Sequence, residues 1–165
     1  MGQRKLFVSG KRTAMIAIEP IGFVKNIRTE AVDDNWDDIQ SVIELNSEFT
    51  EAALHGLDQF SHAEILFHFH LAKDDSIVRC ARHPRGNPDW PKVGIFAQRG
   101  KDRPNRIGST IVEIVSVEGN LLTVKGLDAI NGTPVIDIKP VMTGFLPREK
   151  VEEPAWSQEL MSHYW

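Results

Sequence analysis

Short stretches of β-branched and aromatic residues recur along most of this chain, whereas helical periodicity is rare. Six stretches are too short or too flat for an amphipathic helix, so we predict a strand in each: residues 41–45, 63–71, 93–97, 110–117, 121–127 and 135–139. Residues 15–24 are predicted to be extended as well, with a bend at Pro20 and Gly22. Glycine and asparagine at positions 119–120 and 131–132 favour tight turns between strands.

Residues 48–57 have the clearest helical periodicity in the first half of the chain. Ser47 is a suitable N-cap for this helix. Its buried side would contain Phe49, Ala53, Leu54 and Leu57. Residues 74–91 are instead rich in Arg, Pro and Gly, which predicts a long surface loop.

The C-terminal tail, residues 151–165, is predicted to be a second short helix. Trp156, Leu160 and Tyr164 recur every four residues, and Pro154 suits a first helical turn. This apolar face either covers the end of its own domain or lies at a contact between subunits. Its aromatic composition favours the second position, where the tail would also shelter a binding pocket.

Many short strands joined by tight turns predict a mainly β fold, namely a small closed antiparallel β-barrel with one or two short helices. We find no internal repeat or linker, so residues 1–165 are predicted to form a single domain. Neither a G-x-G-x-x-G fingerprint nor a Walker phosphate loop is present. A Rossmann-type or P-loop enzyme is therefore not supported.

Charge is distributed unevenly along the chain. Residues 79–106 contain eight basic and two acidic residues, a net +6, which leaves −10 for the rest because the whole chain carries −4. Cys80 is the only cysteine, so an intramolecular disulfide and a cysteine-based zinc cluster are excluded. No apolar run approaches the ~20 residues needed to cross a bilayer. The expected location is the cytoplasm, without membrane association.

Two segments contain candidate chemistry. Arg99 enters a loop stiffened by Pro104, where guanidinium groups can bind a carboxylate or phosphate, although a solvated basic loop is an equal alternative. Asp128 precedes a turn, and the commoner role of such a side chain is to brace the turn by a hydrogen bond. The functional alternative is a carboxylate that accepts hydrogen bonds from ribose hydroxyls or an amine. Asp137 and Lys139 share one strand face and are predicted to form an ion pair.

Histidines suggest a metal site only weakly. His68 and His70 would project from the same face of a strand, with His62 nearby in sequence. No further ligand stands at a recognisable spacing, so we predict no metal. A hydrogen-bonded histidine that lines a pocket is the preferred interpretation, with His70 as the candidate.

Three blocks of sequence resemble the signature blocks of the TsaA-like (YaeB-like) proteins. They are GLDQFSHAEILFHFH at residues 56–70, GIFAQRGKDRPNRIG at 94–108 and GLDAINGTPVIDIKP at 126–140. IGFVKN at residues 21–26 is similar to the opening strand of that family. The chain departs from the family pattern at Leu71, Arg106 and Asn131, where glutamine, proline and aspartate are usual.

The resemblance implies a β-barrel enzyme that uses S-adenosylmethionine to methylate N6 of the threonylcarbamoylated adenosine beside the tRNA anticodon. It also implies a homodimer with the cofactor near the subunit contact. Carried over by motif position, the cofactor site would include His70, Leu71, Arg99, Ser109, Leu127, Asp128, Ala129 and Ile130. Asn35, Trp36 and Asp37 are the best stand-ins for an early cofactor loop that has no direct match here.

The substrate tRNA is expected to face the basic segment, through Arg82, Arg85, Lys101, Arg103, Asn105 and Arg106. The sequence identifies no general base or other catalytic residue. Methyl transfer depends more on positioning than on acid–base chemistry, so none is required. Two other functions stay open: methylation of a small molecule or another RNA, and a non-catalytic barrel that binds S-adenosylmethionine as a sensor.

Overall fold

The computed structural model describes residues 16–165. Its elements are β1 (Gly22–Lys25), β2 (Gln40–Leu45), β3 (His62–His68), β4 (Ala81–Arg82), β5 (Val93–Gly94), β6 (Ile107–Glu118), β7 (Leu121–Lys125), β8 (Pro134–Pro140) and the helix α1 (Ala155–Met161). Six strands form a closed barrel in the order β1-β2-β7-β6-β3-β8, and every neighbouring pair is antiparallel. The predicted mainly β barrel is confirmed.

Alternation of buried and exposed residues explains why these segments form strands around one core. In β3, Ala63, Ile65 and Phe67 are fully buried while the residues between them are not. Their partners on the other strands complete the core: Val24, Ile43, Leu45, Val112, Leu122, Val124 and Val135. Register shifts between Leu66 and Phe67 and between Ile114 and Ser116 mark β-bulges, which increase the local twist that a barrel requires.

Several predicted strand boundaries were wrong. The strand predicted for residues 63–71 ends at His68. The strand predicted for residues 93–97 is only β5, since Ile95–Ala97 form a 3₁₀ turn. Within residues 15–24, Met15 lies outside the described residues and only Gly22 onward is a strand, β1. The predicted loop at 74–91 contains β4, which pairs with β5 in a two-stranded ribbon.

The helix predicted for residues 48–57 does not form. Two short 3₁₀ turns, Glu51–Leu54 and Leu57–Gln59, replace it. Gly56 separates them with a φ of 85°, a left-handed conformation that no α-helix accommodates. Leu54 is buried and Leu57 packs against the core, so apolar burial is retained without helical periodicity.

The hairpin predicted at Gly119 and Asn120 is confirmed. Glu118 pairs with Leu121, and Gly119 has a φ of 59°. Glycine is needed for a different reason at Gly108, where an added Cβ would lie 2.4 Å from the buried ring of Phe67. Close packing of β6 on β3 therefore depends on the absence of a side chain at this position.

Gly22 is equally crowded and provides a test of the barrel closure. A Cβ at this position would lie 2.3 Å from the Glu44 carbonyl oxygen and 3.0 Å from the Leu45 Cα, and backbone atoms cannot rotate away. We expect Gly22→Ala to destabilise the protein by about 1–3 kcal/mol, measured by urea denaturation. Gly144→Ala, which meets nothing within 4 Å, is the matched control. Equal midpoints for the two variants would contradict the packing.

Candidate functional site

The first half of β6 organises the candidate site. Residues 107–112 pair with β3, whereas β7 pairs with β6 only from Glu113 onward. After Lys125 the chain leaves the sheet, and Asp128 lies beside the uncovered half of β6, where Thr110 Oγ1 donates a hydrogen bond to Asp128 Oδ1. Thr110 is buried. The carboxylate is therefore fixed against the wall of the barrel.

Ser109 connects the same stretch of β6 to two other segments. Its side chain donates a hydrogen bond to Glu64 Oε1 on β3. Its carbonyl accepts a hydrogen bond from the guanidinium of Arg99, whose residue remains exposed. The Ser109 backbone and the Thr110 side chain therefore hold Arg99 and Asp128 at one short segment of β6. The structure thus brings together three of the residues that the sequence suggested.

The turn after β7 has mostly buried side chains. Leu127, Ala129 and Ile130 are at most 8% exposed, whereas Asp128 is half-buried. Asn26 donates from its side chain to the Ala129 carbonyl and to Ser41 Oγ, at 2.8 Å each. Of these four residues, Asp128 is the one whose side chain is available for polar recognition.

The early loop lies next to this turn. Trp36, Ile39 and Ile130 form a small buried apolar cluster. The guanidinium of Arg28 lies 4.3 Å from the centroid of the Trp36 ring and donates hydrogen bonds to the carbonyls of Asp34 and Asn35. Asn35 has a φ of 62°. Of the three loop residues that the sequence suggested, Asn35 and Trp36 are held near the turn, and Asp37 is exposed.

The C-terminal tail docks on the same region of its own barrel. The backbone N–H groups of Asn35 and Trp36 donate to the carbonyls of His163 and Tyr164, at 3.0 and 2.9 Å. Tyr164 packs against the apolar cluster, and its hydroxyl donates a hydrogen bond to Asp128 Oδ2. Burial, followed by the charge of Asp128 and this hydrogen bond, raises the pKa of the Tyr164 phenol. The tail therefore packs on its own barrel, and its helix is limited to α1. Its expected place at a subunit contact stays a prediction.

The end of β3 contains the other two cofactor candidates. His70 lies two residues after His68, the last residue of β3, and its N–H donates to the His68 carbonyl at 2.7 Å. The expectation that His68 and His70 share a strand face was wrong, because β3 ends at His68. Leu71 is 62% exposed. No hydrogen bond or ion pair in residues 16–165 joins either candidate to Asp128.

Burial lowers the pKa of His68, and the charges of Arg106 and His70 lower it further. Within residues 16–165, no three His, Cys, Asp or Glu side chains lie together in a way that fits a metal ion. His62 lies apart, and its Nδ1 is hydrogen-bonded to Ser61 Oγ at 2.8 Å.

Most arginines of the basic segment make internal contacts. Arg82 pairs with Asp102 at 2.9 Å, Arg103 donates to the Gln98 carbonyl at 3.0 Å, and Arg106 pairs with Asp74. Burial alone would raise the pKa of Asp102, but hydrogen bonds from Arg82 and Ser76 and the charges of Arg82 and Lys101 outweigh it, so the pKa is lowered. Lys101 and Asn105 are exposed.

Arg85 and Trp90 link the long loop to the tail. Arg85 pairs with Asp34 at 2.7 Å, and its guanidinium lies 5.9 Å from the centroid of the Tyr164 ring. Trp90 Nε1 donates to Glu159 Oε2 of α1 at 2.8 Å. Within β8, Asp137 and Lys139 form the predicted ion pair, whose hydrogen bond raises the pKa of Lys139.

Sequence reasoning missed the partners of Asp128. Thr110 carried no motif signal beyond its place in a strand. Tyr164 had one signal, because it is the only tyrosine in the chain and lies on the apolar face of the tail.

Two open grooves contain none of the residues assigned to the cofactor. One is lined by residues from Phe23 to Asn26 with Asn131 and Gly132, and the other by residues around Arg28. Polar chemistry is instead concentrated around Asp128.

Comparison with known proteins identifies the family. The model of the tRNA-methyltransferase O N-terminal domain matches residues 31–145, and the chain belongs to this family. A probable S-adenosyl-L-methionine-binding protein of Pyrococcus abyssi is 36% identical over 143 residues, which are 83% of this chain and 74% of that protein. The resemblance to TsaA-like proteins is thereby confirmed.

Two further relatives are longer than the present chain. The tRNA (adenine(37)-N6)-methyltransferase of Homo sapiens is 42% identical over 104 residues, which are 63% of this chain and 23% of that enzyme. The crystal structure of TrmO from Pseudomonas aeruginosa matches with a TM-score of 0.71 and 27% identity, covering 88% of this chain and 63% of that one. The chain thus spans about a quarter of the human enzyme.

None of the helices in residues 16–165 is long and apolar enough to cross a membrane.

Proposed function

We propose that this chain is an S-adenosylmethionine-dependent methyltransferase that modifies N6 of an adenosine beside the tRNA anticodon. Its family and its similarity to proteins named tRNA (adenine(37)-N6)-methyltransferase and S-adenosyl-L-methionine-binding protein support this function. The structural observation that carries it is that Arg99 and Asp128 are hydrogen-bonded to two consecutive residues of β6, Ser109 and Thr110. A cation and a carboxylate held by one strand suit a ligand that has a carboxylate at one end and hydrogen-bond donors, such as ribose hydroxyls, at the other.

The chemistry of these residues fits S-adenosylmethionine. Arg99 uses one nitrogen for the Ser109 carbonyl, which leaves other N–H groups of its five donors for a carboxylate. Asp128 accepts one hydrogen bond on each oxygen, and a carboxylate has about four acceptor positions, so it retains capacity for ribose hydroxyls or an amine. Trp36 and Ile130 belong to the buried apolar cluster beside this turn. We assign Arg99 to the carboxylate end and Asp128 to the nucleoside end.

When bound, S-adenosylmethionine supplies an electrophilic methyl group on a sulfonium. The protein's part is to orient the acceptor nitrogen, whose lone pair is delocalised into the adenine ring, in line with that methyl group. Orientation of the acceptor nitrogen therefore contributes more to the rate of methyl transfer than a proton acceptor would. His70 and Leu71 are assigned to the same site by motif position, at the exposed end of β3.

The proposed tRNA surface is the basic segment. Four of its arginines are committed to internal partners, so they shape the surface more than they offer free charge. Lys101 and Asn105 are exposed and extend from the loop that follows Arg99. Arg82, Arg85, Arg103 and Arg106 keep further N–H groups for phosphate oxygens.

Binding of tRNA is expected to weaken steeply with salt because phosphate contacts release counterions. Lys101→Ala should reduce the slope of log K against log salt concentration by about one, measured by fluorescence anisotropy with labelled tRNA. Lys150→Ala, an exposed lysine outside the basic segment, is the matched control and should leave the slope unchanged. A slope that does not depend on Lys101 would remove this residue from the RNA surface.

A homodimer in the cytoplasm completes the proposal. Large apolar side chains on the outside of the domain support association: Leu71, Phe96, Ile111 and Val115 are each at least 49% exposed. Residues 1–165 are proposed to act as one domain, with the tail as part of it.

A second candidate is methylation of a small molecule or another RNA, and a third is a sensor without turnover. The observation behind the small-molecule candidate is the internal pairing of four arginines, which reduces the free charge of the basic segment. Incubation with methyl-labelled S-adenosylmethionine and either total RNA or a small-molecule extract, both from a strain that lacks the corresponding gene, separates the three when followed by mass spectrometry. Label on N6 of adenosine is expected. Turnover without labelled tRNA would support the second candidate, and binding without turnover the third.

A further inference from the structure

Tyr164 lies where three segments of the chain meet. Its backbone pairs with the early loop at Trp36, and its ring packs on Trp36 and Ile130. Its hydroxyl reaches Asp128, and the guanidinium of Arg85 lies 5.9 Å from its ring centroid. A residue at the end of the chain thus contacts the one polar side chain of the turn at 127–130.

The carboxylate of Asp128 is held at both oxygens by hydroxyl groups of this chain. Thr110 donates to Oδ1 and Tyr164 donates to Oδ2. Two donors, one on each oxygen, fix the rotation of the carboxylate about its last bond. About one acceptor position remains on each oxygen, which matches the two neighbouring hydroxyls of a ribose.

We propose that Tyr164 is a positioning residue of the S-adenosylmethionine site and acts through Asp128. The inference rests on the proposed function, since it assigns a role to the tail in the same site. Its energetic basis is preorganisation: a carboxylate that is already oriented loses less rotational freedom when the ligand binds.

Docking of the tail does not depend on the hydroxyl. Two backbone hydrogen bonds to the early loop, the apolar contacts of the Tyr164 ring and the bond between Trp90 and Glu159 remain when the hydroxyl is removed. Tyr164→Phe therefore separates the positioning role from the structural one. Tyr164→Ala removes both.

Isothermal titration of the full-length protein with S-adenosylmethionine tests the proposal. Tyr164→Phe is expected to weaken binding about tenfold, the loss typical of a hydrogen bond to a charged group. In the Asp128→Asn background, the same substitution should change the affinity by about twofold or less, because a residue that acts through another has no effect once its target is altered. Gln158→Ala, an exposed tail variant, is the control.

The outcomes separate the inference from the proposed function. Wild-type protein that binds no S-adenosylmethionine would overturn both. Wild-type binding with equal or tighter binding by Tyr164→Phe would overturn the inference alone, and tighter binding would show that the hydroxyl competes with the ligand. Equal effects of Tyr164→Phe in both backgrounds would also contradict an action through Asp128.

A second measurement needs no substitution. Because Tyr164 is the only tyrosine, protein labelled with 3-fluorotyrosine has a single ¹⁹F resonance. Saturation with S-adenosylmethionine should shift this resonance, since the ligand shares the carboxylate that accepts the phenolic hydrogen bond. An unchanged resonance in protein that calorimetry shows to be saturated would refute the proposal.

Discussion

Replacement of Arg99 by alanine is expected to weaken S-adenosylmethionine binding by about ten- to a hundredfold, the range of about 1.5–3 kcal/mol for a hydrogen bond to a charged group. Arg99 is exposed, and the Ser109 carbonyl is its only hydrogen-bond acceptor among residues 16–165, which leaves its other N–H groups for a ligand. Isothermal titration provides the affinity. Loss of binding without loss of melting temperature would place the guanidinium on the ligand.

Two further variants sharpen this result. Arg99→Lys keeps the charge but not the planar pair of donors, so it should restore only part of the affinity if the contact is bidentate. Lys101→Ala removes a neighbouring charge of the same loop and should leave cofactor affinity near the wild-type value. Equal weakening by the alanine variants of Arg99 and Lys101 would instead indicate a general electrostatic effect.

Truncation before residue 152 is expected to have the largest effect on stability. The tail contributes half-buried Trp156, Leu160, Met161 and Tyr164, and its loss uncovers the apolar cluster around Trp36. Four partly buried side chains correspond to about 3–6 kcal/mol, at half the value for full burial of each. Urea denaturation gives this value, and S-adenosylmethionine affinity should fall in parallel because Asp128 loses a donor.

Light scattering on the truncated protein then separates the two positions considered for the tail. A tail that docks only on its own barrel leaves the proposed dimer intact, whereas a tail at the subunit contact yields monomers. Gln158→Ala is again the appropriate full-length control. Unchanged stability and unchanged cofactor affinity in the truncated protein would show that the docked position is not maintained in solution.

Local patterns predicted the barrel because each strand carries its own signal. β3 alternates buried and partly exposed residues, and Gly119 marks the β6–β7 hairpin. The helix predicted at 48–57 was wrong because the prediction relied on apolar spacing and gave too little weight to Gly56. This glycine takes a φ of 85°, which ends any helix. Periodicity describes which residues are buried but not whether the backbone between them is continuous.

The candidate site was predictable in part for the same reason. Arg99 and Asp128 lie in recognisable blocks, whereas their connection through Ser109 and Thr110 follows from the register of β6 with β3 and β7. Internal pairing of Arg82 with Asp102 or Arg106 with Asp74 depends on loop geometry, which composition does not contain. A net charge of a segment therefore overstates the charge that it offers to a partner.

Closure of the barrel by β1 and β8 has a consequence for how this chain folds. Gly22 pairs with Val135, so the first and last strands of the barrel meet across most of the sequence. Bringing such distant segments together costs loop-closure entropy before any contact repays it, and folds dominated by non-local pairing form slowly. On the ribosome, β1 has no partner on its β8 side until β8 emerges. During synthesis, one strand edge of the nascent chain is therefore exposed to association with other chains.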